Sequence, residues 1–90
     1  LRIGRIGSLQ HRVVLAPLTR NRATEPELVP SALAVQYYRQ RASPRGLLIS
    51  EATNISPESL AYSSTPCIWS TCQVEGWQDV TRQGTPLLEI

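Results

Sequence analysis

Two apolar runs of strand length, Val13-Val14-Leu15-Ala16-Pro17-Leu18 and Gly46-Leu47-Leu48-Ile49, do not alternate between apolar and polar residues. A strand with one wet face alternates with a period of two. A run that is apolar throughout expects cover on both faces, the condition of a parallel strand between layers. Parallel neighbours also need a crossover, and the segment between these runs supplies one. Ser31 follows Pro30 and can N-cap a helix over residues 32–43, in which Leu33, Ala34, Tyr37, Tyr38 and Ala42 fall at helical spacing. Pro44 stops that helix and Gly46 lets the chain turn. A second helix is expected from Ser70, where Ser70 and Gln73 form an S-x-x-Q capping box, with Val74, Trp77 and Thr81 as its buried stripe and Gly76 weakening it by ~1 kcal/mol.

The remaining segments are turns and loops. Residues 2–12 read as a short hairpin turning at Gly7-Ser8, residues 20–30 as a polar loop with Pro26 and Pro30, and residues 53–69 as a long loop with Pro57 and Pro66. Residues 84–90 read as a third strand interrupted by Pro86. Strands alternating with helices imply βα units on a parallel sheet. Two parallel strands are not a stable sheet, and a chain of 90 residues buries only about 60–65% of its unfolded surface. The pattern therefore belongs to a larger α/β domain.

Composition excludes several functions. The chain has two Cys and one His, too few for a disulfide scaffold or a closed zinc site, so no metal is expected. No apolar run reaches the ~20 residues of a membrane helix, and the absence of a basic-then-apolar leader favours a cytoplasmic setting. All nine basic residues are Arg, but they are scattered and no aromatic residues interleave with them, so no nucleic-acid partner is expected. The five Gly are dispersed and make no phosphate-binding loop.

Ligands of parallel α/β folds bind at the carboxyl ends of the strands. Here those ends are Ala16-Pro17-Leu18-Thr19-Arg20 and Ser50-Glu51-Ala52-Thr53-Asn54. The Thr19 hydroxyl and nearby backbone groups can hydrogen-bond a heteroaromatic ring, and small Ala16 and Ala52 allow close approach. The plainer reading is that strand ends turn polar on reaching solvent. Glu51 is the one acid at a strand end; an ion pair with a nearby Arg is expected before a role as general base. His11 lies at the amino end of the first strand, where a solvated or structural role is expected. Cys67 and Cys72 read as free thiols, and Trp69 and Trp77 as packing residues. Tyr62, in the long loop, either faces a substrate or covers the rim.

Read in order, Ala16-Pro17-Leu18-Thr19-Arg20-Asn21-Arg22-Ala23, Tyr37-Tyr38-Arg39-Gln40-Arg41-Ala42, Gly46-Leu47-Leu48-Ile49-Ser50-Glu51-Ala52-Thr53 with Ile55-Ser56-Pro57, Thr65-Pro66-Cys67-Ile68-Trp69, and Gly76-Trp77 resemble the amino-terminal part of the Old Yellow Enzyme family. These are FMN-dependent NAD(P)H oxidoreductases on a (β/α)8 barrel, and the fungal and plant ene-reductase branch is the nearest. The similarity runs from about residue 3 to residue 82, leaving residues 83–90 as a divergent tail. The resemblance implies an α/β fold: the opening hairpin and about two βα units of a TIM barrel that takes about 250 residues when complete. It implies hydride transfer from reduced FMN to an activated alkene such as an enone, with NAD(P)H as reductant. Pro17, Leu18 and Thr19 match the segment beside the isoalloxazine ring, Ala52 a small residue touching it, and Tyr62 an aromatic residue on the substrate side. No catalytic residue of the family falls within the matched segment, so the chain alone is expected to be inactive. The alternative is a non-catalytic truncated isoform or pseudogene remnant that acts, if at all, by protein association. The family usually carries Gly where Cys67 stands; if that position needs a positive φ, Cys67 costs about 1–2 kcal/mol.

Overall fold

The computed structural model describes residues 2–84. It opens with an antiparallel pair, β1 (Arg2–Ile3) and β2 (Gly7–Ser8), in the register Arg2 to Ser8 and Ile3 to Gly7. The hairpin is where the sequence places it, but the turn is not. A 3-10 turn over Gly4–Ile6 reverses the chain, with Gly4 at φ +41° and Gly7 at φ +89°. Gly7-Ser8 is thereby freed to pair as a strand. Glycine carries such angles without the Cβ penalty, so the residues that close this turn are chosen by the backbone.

Next come β3 (Val14–Leu15), helix α1 (Ala32–Arg41) and β4 (Leu47–Leu48), a βαβ unit whose strands pair in parallel, Val14 with Leu47 and Leu15 with Leu48. The Ile49 N–H adds one bond to the Leu15 carbonyl at 3.1 Å. The ladder is shorter than the apolar runs that feed it. Pro17 has no N–H to give, so pairing cannot continue past it. Helix α1 starts where expected: the Ser31 hydroxyl accepts the Ala34 N–H at 3.4 Å. It ends at Arg41, two residues short of the expected 43, with Ala42 already extended ahead of Pro44.

Helix α2 (Thr71–Gly84) follows the long loop. Its capping box is reciprocal. The Gln73 N–H donates to the Ser70 hydroxyl at 3.4 Å, while the Gln73 side-chain oxygen accepts the N–H groups of Ser70 (3.0 Å) and Trp69 (2.9 Å). The buried stripe of α2 differs from expectation. Gln73, Trp77 and Val80 are buried, whereas Val74 and Thr81 are exposed. Gln73 is on the inner stripe because its amide also donates to the Glu27 carbonyl at 2.8 Å, tying the helix start to the loop after β3. Gly76, read as a weak point, allows close packing: a Cβ there would sit 2.6 Å from a Val29 methyl and 3.1 Å from the Pro30 ring.

The core lies between the helices and one face of the strand pair. Tyr38, Trp77 and Val80 form its centre, packed by Leu15, Ala34, Val35, Tyr37 and Leu48. Tyr37 and Tyr38 meet edge to face, 5.1 Å between centroids, and the Arg41 guanidinium lies 3.9 Å over the Tyr37 ring from the outside. The other face carries Val14, which is exposed, and Leu47, which is half-buried, and neither joins that core; the expected cover on both faces is present on one. The third-strand reading of residues 84–90 falls outside the described residues beyond Gly84, as does the divergent tail beyond that point.

Candidate functional site

The carboxyl ends of β3 and β4 lie side by side, as parallel pairing requires. Carried forward four residues, the observed register reaches Thr19 on one strand and Ala52 on the other. Beyond the ladder, side chains take over from strand pairing. The Arg20 N–H donates to the Glu51 carboxylate at 2.9 Å, and the Glu51 N–H donates to the Tyr38 hydroxyl at 3.0 Å. Pro17, Leu18, Thr19 and Ala52 are all exposed around this junction. Leu18 and Ile49 add apolar surface, and the Thr19 hydroxyl makes no hydrogen bond to another described residue.

Tyr62 is held by a separate set of bonds. Its turn is held by the Thr65 hydroxyl donating to the Tyr62 carbonyl at 3.0 Å and by the Ala23 N–H donating to the Ser64 carbonyl at 3.0 Å. The structure thus ties Tyr62 to the Ala23 end of the loop after β3 and leaves its ring 68% exposed. Behind the loop is a cavity of about 250 Å3, whose lining includes Arg20, Arg22, Leu33, Tyr37, Tyr38 and Glu51.

Glu51 is where the residue-by-residue reading needs correction. It is 6% exposed and makes no ion pair; the one salt bridge among the described residues joins exposed Arg82 and Asp79 at 3.7 Å. Its carboxylate takes the backbone N–H of Arg20 instead, while the Arg20 guanidinium turns back to the Thr19 carbonyl at 3.2 Å. Tyr38 was legible only as an apolar helix position. Its hydroxyl anchors the strand end, and burial pushes its pKa above the usual tyrosine value, partly offset by the Glu51 N–H bond and reinforced by the Glu51 and Tyr37 charges. No local spacing announces a helix tyrosine bonded to a residue thirteen positions on.

Cys67 is fully buried and extended, in a single parallel bridge with Asn54. It is not among the residues with positive φ, so the strain expected for a Cys at a glycine position does not arise. Its carbonyl accepts the Trp77 indole N–H at 3.0 Å, and burial raises its thiol pKa, with Asn54 acting against the shift and Glu25 adding to it. Cys72 is exposed; both thiols are free. His11 bonds the Ser43 hydroxyl at 2.8 Å on the amino side of the strands, in a structural role. Trp77 packs in the core, whereas Trp69 is 38% exposed and the packing role expected for it is only partial. Among the described residues no group of His, Cys, Asp and Glu could hold a metal ion, and no helix is long and apolar enough to cross a membrane.

The profile of the NADH:flavin oxidoreductase / NADH oxidase family matches residues 1–84. The chain belongs to that family, the Old Yellow Enzyme family its motifs resemble, and forms the amino-terminal part of its TIM barrel. It is 51% identical over 84 residues to the flavin oxidoreductase hxnT of Emericella nidulans, covering 90% of this chain and 21% of that protein. It is 53% identical over 72 residues to the putative 12-oxophytodienoate reductase 4 of Oryza sativa subsp. japonica, covering 80% of this chain and 18% of that one. Morphinone reductase superposes with a TM-score of 0.85 at 48% identity, over 96% of this chain and 22% of its own. The chain therefore spans about a fifth of the length of these relatives.

Proposed function

We propose that this chain supplies the flavin-contacting wall of an FMN-dependent NAD(P)H oxidoreductase of the ene-reductase type. Its substrates are small activated alkenes such as enones. The observation that carries the reading is the junction at the strand ends: the 2.9 Å bond from Arg20 to Glu51 holds Thr19 and Ala52 on one side of the molecule, next to exposed Pro17 and Leu18. An exposed apolar strip beside a hydroxyl without a protein partner among the described residues suits a flat heteroaromatic ring that needs both contact and orientation.

FMN, when bound, supplies the hydride chemistry between nicotinamide and alkene; the protein contributes position and hydrogen bonds. In this reading Pro17 and Leu18 line the ring, Thr19 offers its hydroxyl, and Ala52 leaves room for close approach. Tyr62 extends the wall toward the substrate. A solved relative supports the direction: morphinone reductase in complex with tetrahydroNAD. The chain by itself has no activity in this reading, because the described residues form one wall and leave the opposite one open.

A second reading is favoured by one observation. On the strand face turned away from the core, Val14 is 36% exposed and Ile49, just past β4, is 43% exposed, and open strands invite association. In that reading the chain acts without catalysis, through a protein that covers this face. FMN titration of the 90-residue chain and of the full-length protein carrying it decides between them. The first reading expects no flavin uptake by the chain alone, and a yellow full-length protein that oxidises NADH or NADPH with 2-cyclohexenone. A full-length protein without flavin overturns it, and stoichiometric FMN binding by the chain alone overturns the claim that one wall is insufficient.

A further inference from the structure

We propose that Glu51 is a positioning residue that fixes the two flavin-facing peptides, Thr19–Arg20 and Glu51–Ala52, and so sets how Thr19 and Ala52 meet the ring. The proposal rests on the flavin reading above. A buried carboxylate is costly unless its oxygens are bonded. Glu51 is 6% exposed, and its carboxylate accepts the Arg20 backbone N–H at 2.9 Å rather than a guanidinium. A peptide unit is planar, so fixing the Arg20 N–H also fixes the Thr19 carbonyl, which the Arg20 side chain holds from the other side at 3.2 Å.

The main chain of Glu51 is gripped in the same way. Its N–H donates to the Tyr38 hydroxyl at 3.0 Å, and its carbonyl accepts the hydroxyls of Thr53 at 2.9 Å and Ser50 at 3.3 Å. The Glu51 carbonyl shares a peptide plane with the Ala52 N–H, so these bonds aim that N–H as well. One residue therefore orients both strand ends through bonds to and from its own main chain and carboxylate. An ion pair would have left the two peptides free to rotate; a charge-assisted bond to a backbone N–H is short and directional.

The test uses the full-length protein with Glu51→Ala, Glu51→Gln, Thr19→Ala and the Glu51→Ala/Thr19→Ala double variant. Three readouts are taken: FMN Kd, the visible flavin spectrum, and hydrogen exchange at the Arg20 amide in flavin-free protein. Glu51→Ala is expected to weaken FMN binding about tenfold, equivalent to about 1.4 kcal/mol. It should also shift the flavin bands in the direction Thr19→Ala shifts them, and speed Arg20 exchange by at least about tenfold. Glu51→Gln keeps an acceptor oxygen and should recover most of each effect. The double variant should bind FMN no worse than the weaker single, because both changes act on one contact. Additive losses, or a Glu51→Ala protein with wild-type spectrum and Kd, overturn the proposal. If Glu51→Ala fails to fold, Tyr38→Phe removes only the hydroxyl that anchors Glu51. It should give a smaller shift of the same sign, and an unchanged spectrum there overturns the proposal equally. Wild-type protein without flavin marks failure of the functional reading instead; Arg20 exchange in flavin-free protein still reports whether Glu51 holds the peptide.

Discussion

Trp77 is 9% exposed and Val14 is 36% exposed, and the two residues stand for regions assembled in different ways. Around Trp77, both helices and both long loops interlock. The indole donates to the Cys67 carbonyl, the Cys67 N–H to the Leu28 carbonyl, and the Gln73 amide to the Glu27 carbonyl. Around Val14, the chain forms a two-stranded parallel ladder, two paired residues on each strand, with Leu15 and Leu48 facing the helices and exposed Val14 on the other face. The strand residues themselves are as apolar as those of the core. What differs is how many elements reach them, and in a barrel the missing cover comes from strands on the far side. The helix-and-loop layer thus satisfies itself locally, while the strand layer depends on closure of the whole sheet.

Trp77→Ala should cause the largest loss on the interlocked side, about 3–5 kcal/mol from the cavity together with an orphaned Cys67 carbonyl. Urea unfolding followed by far-UV circular dichroism measures it. A loss under about 1 kcal/mol would show that the two regions are equally loose. Gly76→Ala tests how close that packing is. Helix propensity favours Ala by ~1 kcal/mol, but the added Cβ meets Val29 and Pro30, and overpacking costs about 1–3 kcal/mol. Net destabilisation is expected; a higher midpoint would mean that α2 can move off Pro30.

The pH response should also come from the interlocked side. Tyr38 and Cys67 both have pKa values raised by burial. A group with a raised folded pKa adds stability below its unfolded pKa and loses it as pH rises through the folded value. Stability should therefore fall above about pH 9–10, the ordinary range of these two groups. Tyr38→Phe combined with Cys67→Ala should flatten that limb, and an unchanged slope would assign it elsewhere. Ser70→Ala removes one half of the capping box and should cost about 1 kcal/mol in the same unfolding assay.

Val14→Thr is the smallest expected effect and the most informative about the open side. In the 90-residue chain it should change stability by no more than about 0.5 kcal/mol. A larger loss that grows with protein concentration would reveal a self-associated strand face. In a closed barrel the same substitution should cost more than in the chain alone, and equal costs would mean that Val14 stays in solvent.

Much of this architecture was legible because it is encoded over short distances. Ser31 before an apolar helical pattern, Ser70 three residues before Gln73, and Pro44 after Ala42 each act within a turn of where they stand. The strand runs of residues 13–18 and 46–49 announced a parallel pair by lacking alternation, and the motifs around Thr19 and Glu51 carried the family. The exact hairpin turn was not legible, since Gly4 and Gly7 both permit it and only the backbone angles choose. Nor was the stripe Gln73, Trp77 and Val80, because a capping glutamine that also reaches Glu27 reads locally as polar surface.

The amino-acid sequence alone determined the order of elements, the N-terminal caps that start both helices and the membership of a flavin oxidoreductase family, since these rest on neighbours within a few residues or on motifs in register. Tertiary structure alone decided that Glu51 holds a backbone N–H rather than an arginine side chain, that Gly76 serves packing, and that one face of the strands is covered and the other open. Each of these depends on which distant segment arrives at a given atom, and no local pattern specifies that.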